Sequence, residues 1–137
     1  EIIITSGGKN IAPVELENLI KTHDLIGQIC MVGDGKKFLS ALIVLDGDGG
    51  AEKWANENNI DYDIENMSKN EKVLAEIQAH VDKSNSKVAN VQQIKKFTLL
   101  SNEWTDSSGE LTPSLKLKRH VVTERYKDEI ESMYEEA

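Results

Sequence analysis

The sequence predicts an α+β domain, with a small sheet made of a hairpin plus further strands and covered by about three helices. Three observations lead there. Two apolar runs, Ile26 to Gly33 and Phe38 to Asp46, flank the turn residues Gly33-Asp34-Gly35-Lys36-Lys37, as expected of a hairpin. Val73, Leu74, Ile77 and Val81 recur at helical spacing, which marks one face of a helix laid on a core. Val122, Tyr126, Ile130 and Met133 repeat that pattern near the end of the chain.

The elements follow in order. Ile2-Ile3-Ile4 is a β-branched run that reads as a short buried strand. Thr5-Ser6-Gly7-Gly8-Lys9-Asn10 reads as a loop. Pro13 suits the first turn of a helix, where its missing N–H costs nothing. Glu15 and Glu17 lie near that helix's positive end, and Leu16, Leu19 and Ile20 supply its apolar face. The run Leu39 to Leu45 is apolar on both faces and is expected to be the central strand, covered on both sides. Gly47-Asp48-Gly49-Gly50 breaks the chain, and Ala51 to Asn58 reads as a short helix. A polar loop from Asp61 to Lys69 leads into the helix carrying Val73 to Val81. Val91 to Leu100 is a further strand, with Ile94, Phe97 and Leu99 as its apolar members. Ser101 to Gly109 is polar and turn-rich, and one last helix closes the chain. No internal repeat is visible.

Composition narrows the function. A chain of 137 residues, 39% of them hydrophobic, suits one domain with a modest core. A net charge of −8 argues against nucleic acid as a partner, because phosphate binding needs a cationic surface. The sign reverses locally, however. Lys116, Lys118, Arg119 and His120 form a basic knot, followed by an acidic tail of Asp128, Glu129, Glu131, Glu135 and Glu136. The single cysteine, Cys30, excludes an intrachain disulfide and reads as a small buried hydrophobe. No apolar run reaches the roughly 18 residues needed to cross a membrane, and no signal peptide is visible, so a soluble cytoplasmic protein is expected. His23 and His80 are expected on helices, as surface or rim residues, and Trp54 and Trp104 as packing anchors. The chain opens on Glu1 and not on Met, which leads to the expectation of a piece of a longer protein.

Two segments carry candidate chemistry. In the first, Thr5 to Glu17, Gly7 and Gly8 permit positive φ and close approach of a ligand to the backbone. A following helix N-terminus and Lys9 both favour a nearby anion. The GxxxxGK[ST] spacing of a P-loop is missing. On these grounds a phosphate or pantetheine contact competes with a plain glycine turn. The second segment is Gly109-Glu110-Leu111-Thr112-Pro113-Ser114-Leu115-Lys116-Leu117-Lys118-Arg119. It is a proline-stiffened loop entering a helix through cations, which oppose the helix macrodipole. Local conflicts of this kind mark functional sites, and a lysine on a stiff loop can reach an anion as a point charge. A solvated basic patch is the competing reading.

The two segments in this order resemble the C-terminal domain of adenylate-forming acyl-CoA synthetases. Gly-Gly-Lys-Asn-Ile-Ala-Pro and Glu-Leu-Thr-Pro-Ser-Leu-Lys-Leu-Lys-Arg are most similar to the long-chain fatty acid branch. The resemblance covers residues 1–137 and implies the mobile C-terminal domain of such an enzyme. It implies a large N-terminal adenylation domain in the same polypeptide, holding the ATP phosphate loop, the Mg2+ site and the acyl pocket. ATP, CoA and a fatty acid are the substrates it implies, in the cytoplasm or peripheral to a membrane. Lys116 matches the family's catalytic lysine. Gly7, Gly8, Lys9 and Asn10 match its glycine loop and would contact CoA, and no metal site is expected in this chain. Lys118 and Arg119 would contact phosphate or the large domain, or be solvated, and His120 is given no catalytic role. Two features depart from the pattern. Leu115 stands where many members have glycine, which argues against a short-acid or aryl-acid relative. The glycine loop carries one extra residue, so Lys9 and Asn10 do not align cleanly with the family's arginine. The alternatives are another acid-CoA ligase or adenylating enzyme, and a non-catalytic interaction module of the same fold.

Overall fold

A computed structural model describes residues 1–135, without the side chain of Asp48. Glu136, counted above in the acidic tail, lies outside the described residues. Strand β1 (Ile3–Ile4) pairs antiparallel with β2 (Asn10–Ile11), and helix α1 (Val14–Ile20) follows. The hairpin of β3 (Ile26–Val32) and β4 (Leu39–Leu45) forms as its turn residues predict. The chain then passes through a π-type turn (Gly47–Ala51), α2 (Glu52–Glu57), α3 (Ile64–Met67) and α4 (Glu71–Asn85). It returns as β5 (Ile94–Leu99), parallel to β4, which gives the sheet order β3-β4-β5. Helices α5 (Arg119–Arg125) and α6 (Lys127–Ser132) complete the described elements.

The apolar run of β4 becomes the central strand, with all seven residues buried. Its period-two pleat divides the core. Leu39, Ala41, Ile43 and Leu45 join Leu16 and Ile20 of α1 and Val73, Ile77 and Val81 of α4. Leu42 and Val44 point the other way, to Cys30, Val32, Trp104, Leu111, Val122, Tyr126, Ile130 and Met133. Helix α4 is started by Asn70, whose side chain accepts from the N–H groups of Lys72 and Val73 at 2.8 and 3.3 Å, satisfying donors the helix leaves orphaned.

Three sequence expectations are corrected. The Ile2–Ile4 run is not buried throughout, because a two-stranded ribbon covers only one face. Ile3 is buried, while Ile2 and Ile4 stay 57% and 51% exposed. The polar stretch 61–69 contains α3, capped by Asp63 and sealed by buried Met67; four residues are too few to display a helical period. The final helix is two, broken at Tyr126, where the backbone leaves the helical region (φ −105°, ψ 29°). Its four apolar residues still share one core. The expected α+β class, a small sheet with several helices, stands, and six α-helices occur among the described residues.

Candidate functional site

The glycine segment is a hairpin tip, not a strand-to-helix loop. Asn10 is not in the loop but in β2, opposite Ile4, and two further residues separate Ile11 from α1. The helix N-terminus is therefore not at the glycines. The turn closes through the N–H of Gly8 on the carbonyl of Thr5 (2.9 Å) and the N–H of Thr5 on the carbonyl of Lys9 (3.1 Å). Gly8 takes φ 81°, a left-handed value that favours glycine. A Cβ on Gly7 or Gly8 would meet nothing within 4 Å, so this backbone is open to a ligand. The N–H of Ser6 donates to the carbonyl of Lys36 at 2.9 Å, which holds the tip against the β3–β4 turn. Beside it lies a cleft of about 270 Å³ whose lining includes Thr5, Gly7, Lys9, Lys37, Asn90 and Lys95, with no carboxylate among the described residues.

The lysine segment is a second hairpin. Leu111 bridges Leu117, and the N–H of Lys118 donates to the carbonyl of Glu110 at 2.8 Å. At the tip the N–H of Leu115 donates to the carbonyl of Thr112, and the N–H of Thr112 to the carbonyl of Lys116, both at 2.8 Å. Pro113 fills the second turn position, where its fixed φ is preset. Leu115 adopts φ 64°, which accounts physically for glycine at this place in the family pattern. The backbone N–H of Lys116 is held by the Thr112 hydroxyl at 3.0 Å, and Lys116 itself is exposed.

The structure does not bring the two hairpins together. The Leu115 carbonyl accepts from the Gln28 side chain near the start of β3 (3.4 Å), whereas the glycine tip contacts the turn beyond its end. Five residues of strand, about 17 Å at about 3.3 Å each, separate those contacts.

Two buried carboxylates, missed as functional residues, anchor the base of the lysine hairpin. Glu110, 2% exposed, accepts from the Tyr126 hydroxyl and Arg125 Nη1, both at 2.9 Å, and from the Ser108 hydroxyl. Burial pushes its carboxyl up, but these bonds outweigh burial and hold it below the ordinary value. Glu17 grips Arg119 with two bonds of 2.8 Å and accepts from the N–H of Met31 at 2.7 Å. Arg119 also donates to the Met31 carbonyl at 3.0 Å and to Glu1 at 3.1 Å. Arg119 is thus not a solvated member of the basic knot. Burial disfavours its charge, yet the bonds and charge of Glu17 more than offset this and raise its pKa. The conflict with the α5 macrodipole disappears because the cation is neutralised inward. A detectable signal existed: Glu17 sits between Leu16 and Ile20 on the helix, and a carboxylate on a buried face needs a partner.

The remaining candidates sort plainly. Cys30 is buried, and burial pushes its thiol up to about 12, so it stays a thiol. Trp104 packs in the second core and Trp54 against the first. His80 lies on α4, but His23 lies in the turn after α1, not on a helix. His23 bonds Glu76 at 2.8 Å, and the two imidazoles meet edge to face at 5.1 Å. Among the described residues no group of three His, Cys, Asp or Glu is placed to hold a metal ion. No helix among them is long and apolar enough to cross a membrane.

The family model described as "AMP-binding enzyme C-terminal domain" matches residues 1–137. The chain belongs to this family. Among curated proteins it is similar to the long-chain-fatty-acid–CoA ligase FadD15 of Mycobacterium tuberculosis, 40% identical over 136 residues, with 98% of this chain and 22% of that protein covered. It is also similar to the long-chain-fatty-acid–CoA ligase ACSBG2 of Xenopus laevis, 34% identical over 155 residues, with 100% and 21% covered. The chain thus spans about a fifth of the length of these relatives. Among solved structures, the adenylation domain of a carboxylate reductase from Mycobacterium chelonae superposes with a TM-score of 0.74 at 19% identity, covering 97% of this chain and 19% of that one. That likeness establishes the shared fold.

Proposed function

We propose that residues 1–137 form the mobile C-terminal domain of an ATP-dependent, AMP-forming long-chain fatty acid–CoA ligase. In the first half-reaction the fatty acid carboxylate attacks the α-phosphate of ATP, and pyrophosphate leaves. In the second the thiol of CoA attacks the acyl-AMP carbonyl, and AMP leaves. The large N-terminal domain would hold ATP, the acyl chain and Mg2+; the residues around Lys116 are cationic and do not suit a divalent ion. The enzyme would work in the cytoplasm or at a membrane surface.

The observation that carries this reading is the placement of an exposed lysine on a braced hairpin at one end of β3, and of an open glycine hairpin at the other. A domain with two working ends can present one to each half-reaction by rotating. Lys116 would bring the carboxylate and phosphate anions together and stabilise charge moving onto pyrophosphate. Gly7 and Gly8 would leave room for pantetheine to pass, with Asn10 at the foot of that hairpin. Lys9, Lys37 and Lys95 would meet the phosphates of CoA, supported by a cleft lined by cations in a chain of net charge −8.

The test uses the full-length enzyme and the isolated chain. The full-length enzyme should release pyrophosphate with ATP and palmitate, and the isolated chain should not. Lys37→Ala should raise the KM for CoA and leave the KM for pantetheine, which lacks the nucleotide phosphates. Turnover by the isolated chain, or a full-length enzyme that forms no acyl-AMP, overturns the reading.

A further inference from the structure

The fork of bonds between Arg119 and Glu17 lies three residues from Lys116 and ties it to the rest of the domain. Both side chains are nearly buried, at 12% and 8% exposure. Arg119 leaves the hairpin where it becomes α5, and Glu17 belongs to α1, the helix after the glycine hairpin. The carboxylate of Glu17 and the guanidinium also hold the two sides of one peptide position, the N–H and carbonyl of Met31 in β3. Arg119 is thus fixed to a helix and to strand β3 of the sheet at once. Only Lys118 and Leu117 separate it from Lys116.

We propose that Glu17 and Arg119 are positioning residues for the adenylation half-reaction, setting where Lys116 stands relative to the body of the domain. This rests on the reading of Lys116 given above. Three arguments favour positioning over plain stabilisation. A buried ion pair contributes little net stability, because desolvating both charges cancels most of their attraction. A planar fork meeting a carboxylate through two parallel bonds fixes direction as well as distance. The bonds also converge on the root of the segment that ends in the exposed lysine, while the tip, among the described residues, makes local turn bonds and one contact with Gln28. A tip held by so little takes its position from its root. Displacing a reacting group by about 1 Å can slow a reaction by on the order of a hundredfold.

The experiment is a double-mutant cycle in the full-length enzyme, with both half-reactions measured separately and a thermal melt of each variant. Arg119→Lys keeps a cation opposite Glu17 but loses the fork. It should slow adenylation by on the order of ten- to a hundredfold in kcat, with the KM for ATP nearly unchanged. Conversion of supplied acyl-AMP and CoA to thioester should stay within about threefold, on the scale of an interaction that step does not use. In a Lys116→Ala background the same change should cost adenylation almost nothing further, since a residue that acts through Lys116 has nothing left to act on. Glu17→Gln, which keeps an acceptor for the Met31 N–H, should reproduce the pattern and serves if Arg119→Lys does not fold. Equal losses in both half-reactions, or the same loss with and without Lys116, overturn the proposal and leave the pair a structural role. If Lys116→Ala is itself silent, the reading of Lys116 has failed and the proposal falls with it. If Lys116→Ala is damaging while Arg119→Lys is silent, the proposal alone falls.

Discussion

At Thr5 and again at Thr112 the chain makes the same turn. In each, the threonine carbonyl accepts from the residue three ahead, and its N–H donates to the carbonyl of a lysine four ahead. The fourth residue is left-handed in both, Gly8 at φ 81° and Leu115 at φ 64°. The two differ in what surrounds them. The glycine hairpin is held by backbone bonds and by the Asp34 carboxylate on the N–H of Ile4, at 3.0 Å. The lysine hairpin has two buried carboxylates at its base, each paired with an arginine. A leucine in left-handed backbone costs roughly 1–2 kcal/mol, and a well-anchored hairpin can carry that cost. One turn geometry thus yields an open slot where glycine fills it, and a braced arm where leucine does.

The largest expected effects come from exchanging these characters in the full-length enzyme. Lys116→Ala should cut adenylation by on the order of a hundredfold or more, the scale of removing one preorganised electrostatic stabiliser. Transfer from supplied acyl-AMP to CoA should be nearly intact. Gly8→Leu should do the reverse, sparing adenylation while thioester formation falls steeply. Leu115 supplies the control, because the same turn already accommodates a leucine. A folded Gly8→Leu enzyme that loses both half-reactions equally would contradict the assignment of the glycine hairpin to the second step.

The brace itself can be broken. Glu110→Gln leaves a neutral amide facing Arg125, Tyr126 and Ser108 in a buried position. It should destabilise the isolated chain by about 1–3 kcal/mol in a denaturant titration, the usual cost of spoiling a buried charge-assisted network. Asp34→Asn, at the exposed bond beside the glycine hairpin, should cost less than about 1 kcal/mol. Equal costs would mean that the two hairpins are not anchored differently.

The central strand was legible because six of its seven residues, all but Ser40, are apolar, and they occupy both faces of the pleat. Likewise, α4 was legible from its period, whereas its Asn70 cap emerged only in the structure. Lys116 was singled out by resemblance alone, and Pro113 marked the loop that carries it as stiff. The identity of the two turns was not legible, since Thr-Ser-Gly-Gly-Lys and Thr-Pro-Ser-Leu-Lys share only their end residues, and backbone geometry rather than side-chain type makes them alike. The carboxylate–arginine pairs were hidden for a different reason. Glu17 and Arg119 are 102 positions apart, and each alone has a local explanation, as a helix-dipole acid or as part of a basic knot. Only the packing of α1, β3 and α5 turns them inward.

Acid should separate the hairpins. Glu110 ionises more readily in the folded chain than its ordinary value of 4.5. A carboxylate with a depressed folded pKa adds stability that is present above the unfolded value and lost as pH falls through the folded one. Below about pH 4.5 the lysine hairpin should therefore loosen. Amide exchange would report this as falling protection at the N–H of Lys118, which bonds the Glu110 carbonyl, while the N–H of Gly8 keeps its protection relative to pH 7. Parallel loss at both sites would point to global unfolding in place of release of one anchor.

The smallest effects decide whether the two turns are truly equivalent. Leu115 is 61% exposed, so replacing it removes little buried surface. Leu115→Gly relieves a left-handed penalty of roughly 1–2 kcal/mol and loosens the unfolded chain by roughly 0.5–1 kcal/mol. The balance favours the variant by about 0.5–1 kcal/mol, and its melting temperature should rise. Gly8→Ala runs the same arithmetic backwards. A Cβ there meets no neighbour within 4 Å, so only the φ of 81° opposes it, and the melting temperature should fall by a similar amount. Opposite signs from two exposed substitutions, neither of which creates a clash, are what a shared left-handed position requires. Should both variants melt higher, or both lower, the local backbone at Thr5 and Thr112 would have to differ energetically despite its matching hydrogen bonds. The strain assigned to Leu115 would then no longer explain why glycine occupies that position in the family pattern.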